Sequence, residues 1–180
     1  MALAGSCSGP LCTKHLYIFR ETPEKSPLEV TALLITDPKL ATALVPEASD
    51  RINQGLPWAP EQLEQPTDAY RLSLINVDGR EVYQGQCLDT LITDVCEVRA
   101  GNRRLSVKVM LLGPWGRRSL EEDVQADLKA QTVYFLDIAG PGGREGAVQV
   151  KPEPLRDYTP EFRQCLLDWQ RSHTVGRSLD

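Results

Sequence analysis

The most regular patterning in the chain lies within residues 95–138. Two segments there, VRAGNRRLSVKVMLLG and DLKAQTVYFLDIAG, each set apolar residues at alternate positions behind a short turn signal. A period of two is the mark of a half-buried strand. In the first segment Leu105, Val107 and Val109 share one face, and Gly113-Pro114-Trp115-Gly116 ends the run. Upstream, residues 69–75 place Tyr70, Leu72 and Leu74 on one face. Asp78-Gly79 then predicts a tight hairpin, with a return strand over 81–87. Residues 90–99 form a further strand, closed by a turn at Ala100-Gly101-Asn102.

The flanking segments extend the same reading. Residues 14–20 (KHLYIFR) alternate and suit a strand, and residues 29–36 (EVTALLIT) are so uniformly apolar that they belong at the centre of a sheet. Residues 119–129 are ambiguous. Ser119 with Glu122 forms a capping-box pattern, yet Val124, Ala126 and Leu128 alternate, and a turn at Lys129-Ala130-Gln131 leads into a strand over 132–138. The alternation favours a strand over 123–128. Gly140-Pro141-Gly142-Gly143 reads as a hairpin tip before a strand over 147–150.

Helical signals are few. Asp37-Pro38 predicts a short helix over 39–45, with Asp37 as N-cap and proline in the first turn. Thr159-Pro160 opens an amphipathic helix over 160–173, on which Phe162, Leu166 and Trp169, together with Cys165, form an apolar stripe. Residues 46–68 carry Pro46, Pro57, Pro60 and Pro66 with little periodicity and predict a long proline-rich surface loop. Trp58, near its middle, either pins the loop to the body or contacts a partner. The expected fold is mainly β: an antiparallel β-sandwich with a C-terminal amphipathic helix. It forms one domain over 14–180 behind a flexible segment, 1–13.

Charge narrows the partners. A formal net charge of −5 argues against nucleic acid or an anionic membrane as the main partner, and the doublets Arg103-Arg104 and Arg117-Arg118 read as solvated strand ends. No apolar run is long enough to span a bilayer. The small residues Leu3-Ala4-Gly5-Ser6 leading to Cys7 look like the end of a bacterial lipoprotein signal peptide, whose basic start and apolar stretch would lie upstream of Met1. On that reading Cys7 carries the lipid. An ordinary flexible terminus is the other reading, and both stay open here.

With Cys7 acylated, the remaining four of the five cysteines form an even set compatible with disulfides. If the strands over 81–87 and 94–99 are antiparallel neighbours, Cys87 and Cys96 face each other within disulfide range. Reduced thiols in a cytosolic protein are the alternative.

Nothing in the pattern assembles a reaction centre or a cofactor site. Glu121, Glu122 and Asp123 are adjacent, so along a strand they alternate between faces and cannot work as an acid–base pair. Cys165 and His173 lie two turns apart on one helix, and no nucleophile elbow of the form GxSxG occurs. The glycine cluster at 140–143 lacks the Gly-Lys-Ser/Thr of a phosphate loop. No CxxC occurs, and His15 and His173 stand too far apart in sequence to suggest zinc.

The order of turns and strands from Leu72 to Val150 resembles small bacterial envelope lipoproteins built on a PEGA-like or carboxypeptidase-regulatory-like β-sandwich. Asp78-Gly79 matches their first hairpin; Ala100-Gly101 with Leu105, Val107 and Val109 the second; Lys129-Ala130 with Tyr134 and Phe135 the third. The turn before Leu105 lacks the usual proline, and residues 46–68 have no counterpart. The resemblance covers under half the chain. It implies a non-catalytic binding or structural module of the cell envelope, lipid-anchored through Cys7, with a protein partner. Trp58 and Trp115 are the candidate contacts. The alternative is a cytosolic interaction or assembly accessory that uses the 46–68 loop or a sheet edge, and a small hydrolase is the third reading.

Overall fold

The computed structural model describes residues 18–21, 26–54, 70–82, 95–113, 116–142 and 147–173. They are mainly strand, in two sheets, with a helix at the C-terminal end. Strands β1 (Ile18–Arg20), β2 (Thr31–Ile35), β5 (Val95–Arg99), β8 (Thr132–Gly142) and β9 (Ala147–Asp157) form a five-stranded sheet of order β1-β5-β2-β8-β9. Strands β3 (Tyr70–Val77), β4 (Arg80–Glu81), β6 (Gly101–Gly113) and β7 (Gly116–Leu128) form a second of order β4-β3-β6-β7. Helices α1 (Pro38–Leu44) and α2 (Ser49–Gln54) follow β2, and α3 (Pro160–His173) follows β9.

The central place expected for the EVTALLIT segment is where β2 lies. Every residue of TALLI is buried, because the sheet has an apolar layer on each side. Ala32 and Leu34 face the second sheet and join one cluster with Cys96, Val98, Tyr134 and Leu136 and with Leu72, Leu74, Leu105, Val107 and Val109 from opposite. Leu33 and Ile35 face the other way, into a cluster with Val133, Phe135, Leu40 and Leu44 of α1, Ile52 of α2, and Tyr158, Phe162 and Leu166. A strand between two such layers has no polar face to offer, which is why its sequence does not alternate.

The expectation of antiparallel pairing throughout is corrected by the five-stranded sheet. There β1 runs parallel to β5, and β2 parallel to β8, while β2–β5 and β8–β9 are antiparallel. The second sheet is antiparallel at every ladder. Two of the expected turns are corrected as well. Ala100-Gly101 and Lys129-Gln131 are not hairpins: each carries the chain from one sheet to the other, so the direction of the next strand is set by where the corner lands. Gly101 adopts a φ of 113°, and Gln131 one of 54°. Gln131 is held by its N–H donating to Thr31 O (2.7 Å) and its carbonyl accepting from Tyr158 N (2.7 Å).

The Asp78-Gly79 hairpin is as expected. Both residues have positive φ, 50° and 81°, the requirement of a type I′ turn, and Val77 pairs with Arg80. A bulge between Leu74 and Asn76 brings Val77 back to the core face opposite Leu105, while Asn76 sits opposite Ser106 on the outer face. Residues 119–128 are strand, and β7 starts earlier than expected, at Gly116, paired with Gly113.

Three further readings need correction. Residues 46–54 are not loop: a 3-10 turn (Pro46–Ala48) runs into α2, because Ala48 and Ile52 reach the apolar layer beneath and Pro46 suits a helical first turn. Strand β9 continues to Asp157 despite Pro152 and Pro154, which is possible because it is an edge strand. Cys165 is exposed rather than part of the buried stripe of α3, which consists of Phe162, Leu166 and the half-buried Trp169. Both predicted caps form. Asp37 Oδ1 accepts from Lys39 N (2.7 Å) and Leu40 N (3.2 Å), and Thr159 Oγ1 accepts from Phe162 N (3.2 Å). The expected N-terminal segment 1–13 lies outside the described residues.

Candidate protein-interaction site

Strands β6 and β7 form a ribbon in continuous antiparallel register from Gly113↔Gly116 to Gly101↔Leu128. Alternation then sorts its residues. Leu105, Val107, Ala126 and Leu128 are buried, whereas Glu121, Asp123, Gln125 and Asp127 of β7 are exposed on the outer face beside Arg104, Ser106 and Lys108 of β6. The second sheet therefore presents a charged face to solvent.

At one end of that face Asn76, Asp78, Gly79, Arg104, Ser106 and Asp123 line a shallow hollow of about 480 Å³. Asp123 Oδ1 accepts from Ser106 Oγ (2.6 Å), and Oδ2 from Arg104 Nη2 (2.5 Å). The hydrogen bond from Ser106, and next that from Arg104, hold the Asp123 carboxyl below the usual carboxylate range. Asp78 Oδ1 accepts from Arg104 N (2.8 Å). Asp78 Oδ2 lies 2.9 Å from Arg103 Nε, an ion pair by distance whose N–H is not aimed at the carboxylate. Glu21 completes the corner, accepting from Arg103 Nη2 (2.5 Å) and from Arg99 N (2.7 Å). These are fixed charges with their partners in place. A carboxylate held ionised in this way can recognise a cation or an amide, but it is a poor proton donor.

A second polar group is internal. Glu97, on β5, points into the helix-facing layer and is 2% exposed. Its Oε1 accepts from Arg163 Nε (2.9 Å) and from the Tyr158 hydroxyl, and its Oε2 from Arg20 Nε (3.0 Å). The Arg163 side chain is 6% exposed, its guanidinium lies 5.3 Å from the Tyr158 ring centre, and its Nη2 is buried with no hydrogen-bond partner. Burial, and then the nearby Glu97 charge, push the Tyr158 hydroxyl well above its ordinary value of 10.0. This cluster joins α3 and β1 to the middle of the sheet. Glu97, Tyr158 and Arg163 are buried and bonded to one another, and the cluster reads as a clamp. A glutamate inside VCEVR, the only charge amid its buried neighbours, was the sequence signal for it.

Of the residues singled out by sequence, Cys7, Trp58, Cys87 and Trp115 lie outside the described residues. Cys96 is a free thiol inside the core shared by the two sheets, and burial raises its pKa well above the ordinary thiol value. Over Val95–Glu97, β5 is paired on both sides, by β1 and by β2; the strand expected over 81–87 lies outside the described residues beyond Val82. The matched turns at Ala100-Gly101 and Lys129-Ala130 are the sheet-to-sheet crossings described above.

No protein-family model matches the chain, and no curated protein or solved structure does either. Function must be argued from this chain's own surface. Among the described residues no group of three or more His, Cys, Asp or Glu could hold a metal ion, and no helix is long and apolar enough to cross a membrane.

The sheet edges differ sharply in how they are finished. Strands β1 and β4 are only 3 and 2 residues long. Strand β9 carries Pro152 and Pro154, and Arg51 of α2 donates from Nη1 to Pro154 O (3.3 Å) and from Nη2 to Leu155 O (3.0 Å), where a bulge leaves Leu155 unpaired. The fourth edge, β7, runs for 13 residues without a proline and has no strand hydrogen-bonded beyond it among the described residues, although β9 approaches it from the other sheet. Short strands, prolines and covering side chains are the usual means of blunting an edge. Strand β7 has none of these three, and its one inward charge among the described side chains is Glu122.

Proposed function

We propose that this chain is a non-catalytic protein-interaction module that offers the edge and charged outer face of β7 to a protein partner. One observation carries the reading: among the described residues three of the four sheet edges are short or covered, whereas β7, the longest strand alongside β6, is neither. Strand addition at such an edge supplies main-chain hydrogen bonds for affinity, and alternate side chains supply selectivity. The mixing of residues from both sheets in one apolar cluster supports treating the sheets as the two faces of a sandwich. Such a scaffold holds β7 rigid.

The test is photocrosslinking in the native host. A photoreactive phenylalanine analogue at position 125, exposed on β7, is expected to yield a discrete protein adduct, and one at exposed Gln164 on α3 is not. Equal labelling from both positions, or no adduct from position 125, would reject the reading.

Attachment to the cell envelope through Cys7 is a separate proposal. It rests on Leu3-Ala4-Gly5-Ser6 preceding that cysteine. With both sides of β5 occupied, the register argument for a Cys87–Cys96 link no longer supports it. Peptide mass mapping of protein from the native host is expected to find an acylated Cys7; an unmodified Cys7 would move the same module to the cytoplasm.

A further inference from the structure

We propose that the occupant of the β7 edge is β7 of a second copy of this chain, paired antiparallel about a two-fold axis at Leu120, and this rests on the edge-binding reading above. The support is the charge order along the strand. Arg117 and Arg118 precede Leu120, and Glu122 and Asp123 follow it, at mirrored spacing. Two-fold pairing at Leu120 sets position 117 against 123 of the partner copy and 118 against 122, each twice by symmetry. Opposite charges meet at every one of these positions, and Leu120 meets Leu120.

Register matters because the axis decides which charges meet; an axis at Ser119 keeps one opposite pair, Arg117 with Glu121, where the axis at Leu120 makes two. Partners across an antiparallel ladder share a face, so the axis must bring together positions of equal parity. Moving it to Glu122 would place Glu122 on its own copy and Glu121 against Asp123, with like charges opposed at the centre. The axis at Leu120 avoids this.

Glu122 adds an independent argument. It lies opposite Val107 on the core-facing side of the ribbon, and no ion pair or hydrogen bond engages it among the described residues. An inward charge on an edge strand ordinarily repels an incoming strand. It becomes an attraction only when the arriving strand brings a cation to that position, as Arg118 of a second copy does. The result is one continuous sheet of order β4-β3-β6-β7 followed by its symmetry mate.

The experiment uses the full chain and two charge-reversed variants, Arg117→Glu/Arg118→Glu and Glu122→Arg/Asp123→Arg. In sedimentation equilibrium at low salt the wild type is expected to be dimeric at micromolar concentration, weakening as salt rises because exposed charges are screened beyond about 8–10 Å. Each variant alone opposes like charges and is expected to be monomeric. Their equimolar mixture restores opposite charges at all the positions and is expected to return a heterodimer. Local damage to the fold cannot produce that rescue. A monomeric wild type, a variant dimeric by itself, or a mixture that stays monomeric overturns the proposal. A position-125 adduct with a different protein would likewise overturn it while leaving the edge-binding reading intact; absence of any adduct would remove both.

Discussion

Replacing Glu97 with alanine is expected to lower unfolding stability by about 3–5 kcal/mol, the cost of breaking a buried ion pair from one side. The loss is large because Arg163 cannot escape. Its side chain is 6% exposed, and without Glu97 its guanidinium would keep only the aromatic ring and hydroxyl of Tyr158. Arg20, 27% exposed, can turn to water and suffers less. Against a typical total of about 5–15 kcal/mol, such a loss should be plain in a urea titration. The double variant Glu97→Leu/Arg163→Met removes both charges and should recover most of it, since a buried pair and an apolar replacement are often close in energy. An alanine variant within about 0.5 kcal/mol of wild type would show that the cluster is not the clamp described here.

The same cluster sets an alkaline limit. Because the Tyr158 hydroxyl is raised by burial and by the Glu97 charge, the folded state holds this proton more tightly than the unfolded chain does. Its contribution is fully present below the ordinary value of 10.0 and is lost as pH climbs from there towards the raised folded value. Stability should therefore fall above pH 10 in the wild type, and Tyr158→Phe should lack that component while losing the hydrogen bond to Glu97 at every pH. Urea midpoints measured on either side of pH 10 check the sign.

Leu34→Ala and Leu33→Ala are each expected to cost about 2.7–5 kcal/mol, through lost burial and the cavity left behind. Both side chains are fully buried, yet they occupy different cores. Leu34 lies between the sheets, and its loss should speed amide exchange in β3 and β6 as well as β2. Leu33 lies under the helices, and its loss should speed exchange in α1 and α3 instead. Val30→Ala, at a position 49% exposed just ahead of β2, should change stability by less than about 0.5 kcal/mol. Identical exchange patterns for the two leucine variants would contradict the two-layer arrangement.

Local rules made much of this fold legible from the residues. Asp-Gly dictates its hairpin because only a residue pair tolerant of positive φ closes a type I′ turn, and Asp37 and Thr159 mark helix starts because their side chains satisfy the first N–H groups. Alternation in β6 and β7 sorted core from solvent, outweighing the helical capping pattern at Ser119. The TALLI run announced a strand buried on both faces. The polar hollow was less legible, since Arg104 and Asp123 are 19 residues apart and meet only once β6 and β7 pair in this register.

Other features belonged to the tertiary structure alone. Which strand lies beside which, and in what direction, is a choice among distant segments that alternation does not encode, so the parallel β1–β5 and β2–β8 ladders and the crossings at Ala100-Gly101 and Lys129-Gln131 were invisible along the chain. Ser49–Gln54 became helix because an apolar layer lay beneath Ile52, not because of its own pattern. Glu97 became a clamp because Arg20 on one side and Tyr158 and Arg163 on the other converge on it from two distant parts of the chain. The sequence by itself determined most strands, two of the helix starts and which faces are apolar, since these depend on neighbours a few residues away. Only the folded chain decided that, among the described residues, β5 is flanked on both sides and β7 ends its sheet, because an edge exists only once the other strands have found their partners.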